Sequence, residues 1–308
     1  MAERNSPRRL DDIFMNNCKI ANELRKYRDL AGCVNQVALS GERGRQPTDC
    51  ADYAEYVISE NLTYLDMVVA NAAYTLMASG LAREGFQADA IARVMAGNME
   101  RRITGKKREE LEACLQRLSR VQLYILADHD HQVGPDLYEG AFLPVEWESA
   151  GGKLRFRFLP GKQMPLYQYA EHHRQLIEVP FHRLRDDVGD NQIRHNNNDR
   201  MLLLRHYLLQ ELEILLYQGN KVEEQQIRLL KRDREGRAFG LLWILGIVED
   251  GEEEQGREQT AVAQKVQKAL RQLMENWQQS GYLDNLQYQM LTPEEGFGVR
   301  IFRREQKT

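Results

Sequence analysis

Apolar residues return at three- and four-residue steps along much of the chain, the spacing that keeps one side of a helix dry. Leu62 to Gly80 is apolar nearly all round, opens on Thr63 as a cap and stops at Gly80, so a buried supporting helix is expected there. Phe86 to Asn98 predicts a shorter helix, with Ile91, Val94 and Met95 inside and Gly97 as its left-handed end. From Thr104 onward, Leu111, Cys114, Leu115, Leu118 and Val121 mark a helix with a single apolar stripe. The second half repeats this outline. Asp199 caps a helix from Arg200 to Tyr217 that keeps Leu202, Leu203, Leu209, Leu212, Leu215 and Leu216 inside and ends at Gly219. Ala238 to Val248 reads as mostly helical, with Trp243 and Leu245 in a core, while Glu223 to Leu230 shows no clear period. Thr260 to Gln279 is the most regular helix. Val262, Val266, Leu270, Leu273 and Trp277 share one side, and Gln264, Lys265, Lys268, Arg271 and Gln272 the other.

Elsewhere the period drops to two. Gln122 to Ala127 has strand composition, and two further strands follow after turns. In Lys153 to Phe158, after the Gly151-Gly152 turn, Leu154, Phe156 and Phe158 take one face while Lys153, Arg155 and Arg157 make the other wholly cationic. A closing hairpin runs from Tyr282 to Met290 and from Gly298 to Phe302, tipped by Thr292 to Gly296 and accompanied by Arg300, Arg303 and Arg304. Pro165 to Ile177 reads as a connector helix leaving the first domain, and residues 186–199, with Gly189 and Asn196-Asn197-Asn198, as a linker. Residues 1–57 are polar and weakly periodic, with a helical stretch from Leu10 to Leu30 and a loop from Ser40 to Asp49. They are expected to form a partly ordered appendage. Three helices, a strand and a basic hairpin make the winged-helix order. The fold class expected is therefore mainly α with small β hairpins, as two tandem winged-helix domains at residues 58–185 and 200–308.

Charge narrows this picture. The chain has 308 residues, 42% hydrophobic and 29% charged, with a net charge of −4. Its pI is near 6.0, so contact with a polyanion must come from local basic faces. Lys106, Lys107 and Arg108 fall in the first turn of their helix, where the unpaired amides favour acids and where a purely structural helix gains nothing from cations. With Arg101 and Arg102 just before them, they suit a helix that enters a DNA groove by its N-terminus. Lys265, Lys268, Arg271 and Gln272 fill the same role in the second half, and Arg155, Arg157, Arg300 and Arg303 are expected to follow phosphates as wings. Arg4, Arg8 and Arg9 are expected in a solvated, partly ordered tail, with contact to a phosphate backbone as the alternative. Cys18, Cys33, Cys50 and Cys114 lack the paired spacing of a zinc site, which fits a reduced, cytoplasmic chain. Neither a signal peptide nor a membrane span is expected.

Enzyme chemistry finds little purchase. Asp128-His129-Asp130-His131 has metal-ligand residue types but no remote partner, and His172-His173 on a helix point about 100° apart. The residue between the two histidines is Asp, unlike the apolar residue expected in a rolling-circle nickase. No phosphate-cradling loop is found either. No catalytic residue, metal or cofactor is expected.

Leu62-Thr63-Tyr64-Leu65-Asp66, Met95-Ala96-Gly97-Asn98, the capped basic helix opening, Pro165-Leu-Tyr-Gln-Tyr-Ala and Trp277-Gln-Gln-Ser-Gly-Tyr-Leu together resemble the replication-initiator-like proteins of plasmids, phages and integrative elements in Gram-positive bacteria. The resemblance runs from Ile58 to Arg304, leaves out the N-terminal segment, and departs from the family in its acidic balance. It implies a tandem winged-helix protein without enzymatic activity that binds repeated sites at an origin and recruits host replication proteins. The partners to expect are double-stranded DNA at origin or operator repeats, host replication proteins and a second copy of the chain, with no membrane. A transcriptional regulator of the same fold and a protein-interaction module are the competing readings, and a metal-dependent nuclease is the third.

Overall fold

The computed structural model describes residues 10–27, 29–38, 53–128, 136–185, 199–216, 223–230, 240–247 and 256–304. The chain divides into two units, Met1–Arg185 and Asp186–Thr308. Arg4, Arg8 and Arg9, the loop at 40–49, His129 and His131, and nearly all of the expected linker lie outside the described residues.

In the first unit, β1 (Asp12–Asn16), α1 (Lys19–Leu24), β2 (Asn35–Ala38) and β3 (Tyr53–Ile58) precede α2 (Tyr64–Ala78). Thr63 and Asp66 close a reciprocal capping box at the start of α2, as the sequence around Thr63 suggests. Met67, Val68, Val69, Ala70, Ala72, Ala73 and Leu76 are buried along it, and so are the polar Asn71 and Thr75. Those two are used. Asn71 Oδ1 accepts from Asn16 N at 3.0 Å and from the Tyr167 hydroxyl at 2.7 Å, and Thr75 Oγ1 accepts from Phe14 N at 3.0 Å. The stretch expected as an appendage is thus part of the core. β1 pairs antiparallel with β9 (Leu176–Pro180), and Ile13, Met15, Cys18 and Ile20 are buried. Among the described residues of the expected Leu10–Leu30 helix, Lys19–Leu24 is the helical part.

β4 (Phe86–Gln87) and α3 (Ala88–Met95) follow, then α4 (Gly105–Arg120), β5 (Gln122–Asp128), β6 (Asp136–Ala141), β7 (Val145–Ala150), β8 (Lys153–Phe158) and α5 (Pro165–His172). Phe86 and Gln87 belong to a strand instead of the expected helix, because Phe86 pairs with Phe156 and the two rings stack at 5.8 Å. Two antiparallel sheets result, one in the order β2-β3-β5-β6 and one in the order β4-β8-β7. The fold is mixed α plus β, richer in sheet than the expected mainly α plan. α5 is no connector: Leu166, Tyr167, Tyr169 and Ala170 are buried. It stops at His172 because Arg174 turns left-handed at φ 52° and Gln175 N donates back to Ala170 O at 2.7 Å, which frees the chain to pair as β9.

The second unit contains α6 (Asp199–Leu216), β10 (Glu224–Arg228), α7 (Leu241–Ile244), α8 (Gly256–Gln279), β11 (Leu286–Met290) and β12 (Gly298–Arg303). Glu223 to Leu230 contains a strand, and among the described residues of the expected Ala238–Val248 helix Leu241–Ile244 is helical. Its sheet runs β10-β12-β11. Helix, strand, helix, helix and two strands therefore occur in both units, and in both sheets the last strand sits between the other two. The first unit adds β5 and β6 before its hairpin.

Candidate nucleic-acid interface

Thr104 caps α4 by accepting from Lys107 N at 3.3 Å, and no acidic residue stands in the first turn. Lys106 and Arg102 are exposed and Arg101 half-buried, and none of the three forms an ion pair among the described residues. Lys107 Nζ lies 3.1 Å from Glu110. The loop carrying these cations is held in place: Arg93 Nε donates to Arg101 O at 3.2 Å and Glu100 N to Asn98 Oδ1 at 3.0 Å. Gly97, at φ 62°, passes so close to the Phe181–Leu184 turn that a Cβ there would stand 2.6 Å from Leu184 Cβ.

Arg108 behaves differently from its neighbours. Its Nε and Nη2 donate to the two oxygens of Asp89 at 2.7 and 3.0 Å. Lys153 Nζ, from β8, approaches the same carboxylate at 3.6 Å. The hydrogen-bonded Arg108 guanidinium holds the Asp89 carboxyl below the usual carboxylate range. α3, α4 and β8 meet at this acid, and Glu112 Oε1 adds a second tie by accepting from Leu154 N at 3.1 Å. Sequence reasoning missed Asp89, since an acid in a first turn already suits the helix dipole.

The β7–β8 hairpin carries its arginines in a mixed setting. Arg155 Nη2 donates to Glu84 O at 2.6 Å, and Arg157 lies 3.5 Å from Glu148 across an exposed ion pair. Pairing sets Glu148 opposite Arg155 and Glu146 opposite Arg157. The cationic face expected of Lys153 to Phe158 is a property of one strand, and its partner strand brings acids to the same side.

In the second unit Lys265, Lys268 and Arg271 are exposed along α8, Gln272 is half-buried, and Ala263, Leu270, Leu273, Met274 and Trp277 are buried on the opposite side. Val262 and Val266, expected inside, are half-buried. Gln267, also missed in the sequence, is 8% exposed. Its amide donates to Leu291 O and Gly298 O at 3.1 Å each, and its Oε1 accepts from Gly298 N at 2.6 Å, so α8 grips both ends of the β11–β12 turn. Arg300 lies 3.2 Å from Glu224 and 3.6 Å from Glu295. Three residues along the same strand, Arg303 points to the other face and donates to Leu215 O at 2.8 Å, at the end of α6.

Among the described residues no group of three His, Cys, Asp or Glu side chains is placed to hold a metal ion, and no helix is long and apolar enough to cross a membrane. His172 Nδ1 is 2.6 Å from the Tyr138 hydroxyl. No family model matches the chain, and no curated protein matches it. Among solved structures the chain is similar to selenomethionine derivatives of domains 2 and 3 of RctB, with a TM-score of 0.40 and 11% identity over 92% of this chain and 96% of that one. A second crystal structure of RctB domains 2 and 3 is similar at a TM-score of 0.38 and 13% identity, covering 88% of this chain and 91% of that one.

Proposed function

We propose that the chain binds double-stranded DNA sequence-specifically through two winged-helix modules, and that it serves a mobile element as its replication initiator without catalysis of its own. The observation that carries this is the repeated plan: in each unit a three-stranded sheet with the last strand central accompanies a helix with exposed cations, at the opening of α4 and along one side of α8. In this reading α4 and α8 are the groove-entering helices, and the β7–β8 and β11–β12 hairpins are the wings. Arg101, Arg102, Lys106 and Lys107 meet the duplex from the first module and Lys265, Lys268, Arg271 and Gln272 from the second, while Arg155, Arg157 and Arg300 serve the wings. Two modules on one chain raise the effective affinity of each, which offsets the acidic balance. The resemblance of the scattered motifs to replication-initiator-like proteins supports the initiator role, with host replication proteins and a second copy as further partners.

The acids facing the wing arginines favour a second reading, a protein-interaction module. Salt separates the two. Phosphate contacts make the logarithm of affinity fall with the logarithm of salt at roughly 0.9 per phosphate neutralised. Fragments of a host element's own DNA, captured by the purified chain and then titrated with salt, should include a repeated motif beside an origin and show that slope. A promoter motif instead would make the protein a regulator. Capture of no fragment would favour the interaction module. Lys106→Ala with Lys107→Ala should reduce affinity and flatten the slope by about two phosphates.

A further inference from the structure

Arg108 is held at the α4 opening by a two-point contact that fixes the plane of its side chain. Its guanidinium is held side-on, Nε to Oδ1 at 2.7 Å and Nη2 to Oδ2 at 3.0 Å of Asp89. A guanidinium carries five N–H groups in one rigid plane, so this contact leaves both Nη1 hydrogens and the second Nη2 hydrogen. One hydrogen from each Nη then forms an end-on fork pointing away from the carboxylate, and none of the described residues fills it. Such a fork matches the O6 and N7 acceptors of guanine in the major groove. The pair is sheltered, with Arg108 22% and Asp89 13% exposed, so the side chain is ordered before a ligand arrives and loses little freedom on binding. Lys153, 3.6 Å from Asp89, supplies a second positive charge, which keeps this acid from repelling a nearby phosphate. Lys106, by contrast, is an exposed point charge with no such orientation.

We infer that Arg108 is the guanine-reading side chain of the first module and that Asp89 is the positioning residue that aims it. This rests on the DNA-binding reading above. Asp89 acts through Arg108, so its loss costs discrimination at one base pair and leaves phosphate contacts in place.

The test is selection of bound duplexes from a random-sequence pool by the full chain and by Asp89→Asn, Arg108→Lys and Arg108→Ala, with thermal melts of each. The wild-type motif should contain a guanine at which both Arg108 variants and Asp89→Asn become degenerate. Discrimination there should fall about tenfold or more while the other positions persist. The salt slope of Asp89→Asn should match that of the wild type, and the slope of Arg108→Lys should be retained because the charge remains. If Asp89→Asn fails to fold, Arg108→Lys decides, since it keeps the charge and loses the fork. A pair that only staples α3 to α4 would lower the melting temperature and leave every guanine of the motif intact; that result overturns the inference alone. A wild-type chain that selects no motif and binds no duplex overturns the DNA-binding reading and the inference with it.

Discussion

At the scale of single residues, Asp66 shows how one buried charge organises the first unit. It is fully buried and receives Thr63 N and Thr63 Oγ1, each at 2.7 Å, the Cys114 thiol at 3.0 Å and the Arg117 guanidinium. One carboxylate thus caps α2 and fastens α4 to it. Burial, with Asp66 close by, pushes the Cys114 thiol well above its ordinary range, so it stays protonated and serves as a donor. Asp66→Ala should lower stability by about 2 to 3 kcal/mol in urea denaturation, since it removes a cap and strands a partly buried guanidinium. It should also speed labelling of Cys114 by a thiol reagent. An unchanged denaturation midpoint would show that the two helices are joined by their apolar faces alone.

Elements explain why similar sequence signals ended differently. The basic residues of α4 and α8 stay outward because each helix buries its opposite stripe, an arrangement fixed by local spacing. Strands have no such independence. Arg155 and Arg157 acquired acidic neighbours from β7, Arg300 acquired Glu224 and Glu295, and Arg303 the Leu215 carbonyl at the end of α6. Gln267 belongs to this scale too, because its three hydrogen bonds fix the hairpin turn against α8. Gln267→Leu keeps the volume but leaves the carbonyls of Leu291 and Gly298 and the amide of Gly298 without it. The expected loss is about 2 to 4 kcal/mol by urea denaturation, with faster amide exchange at Gly298. Exchange at wild-type rates would mean that strand pairing alone holds the turn.

For the molecule as a whole, the consequential finding is that residues 10–24 are structural. β1 pairs along its length with β9, more than 150 positions later, and Asn16 Nδ2 donates to Leu166 O at 3.0 Å. A chain lacking residues 1–24 should therefore lose stability by several kcal/mol and expose Ile177 and Val179 to protease, roughly as expected when a paired strand and its buried side chains are removed. Limited proteolysis and urea denaturation of the truncated chain measure this, and wild-type stability would reinstate the view of the segment as an appendage.

Much of the helical plan was legible. Thr63, Thr104, Gly80 and Gly97 marked boundaries close to those observed, because caps and left-handed ends depend on a few neighbouring residues. The basic opening of α4 and the basic side of α8 could be read for the same reason. By itself the sequence determined where these helices lie and which side of each is charged, since both follow from periodicity within one turn or two. Only the tertiary structure decided that Phe86 joins a sheet, that α5 is buried and that β1 finds β9. It also decided that Arg108 is clamped by Asp89 while Lys106 pairs with none of the described residues. Each of these depends on partners far along the chain, and pairing across such distances leaves no local period to detect.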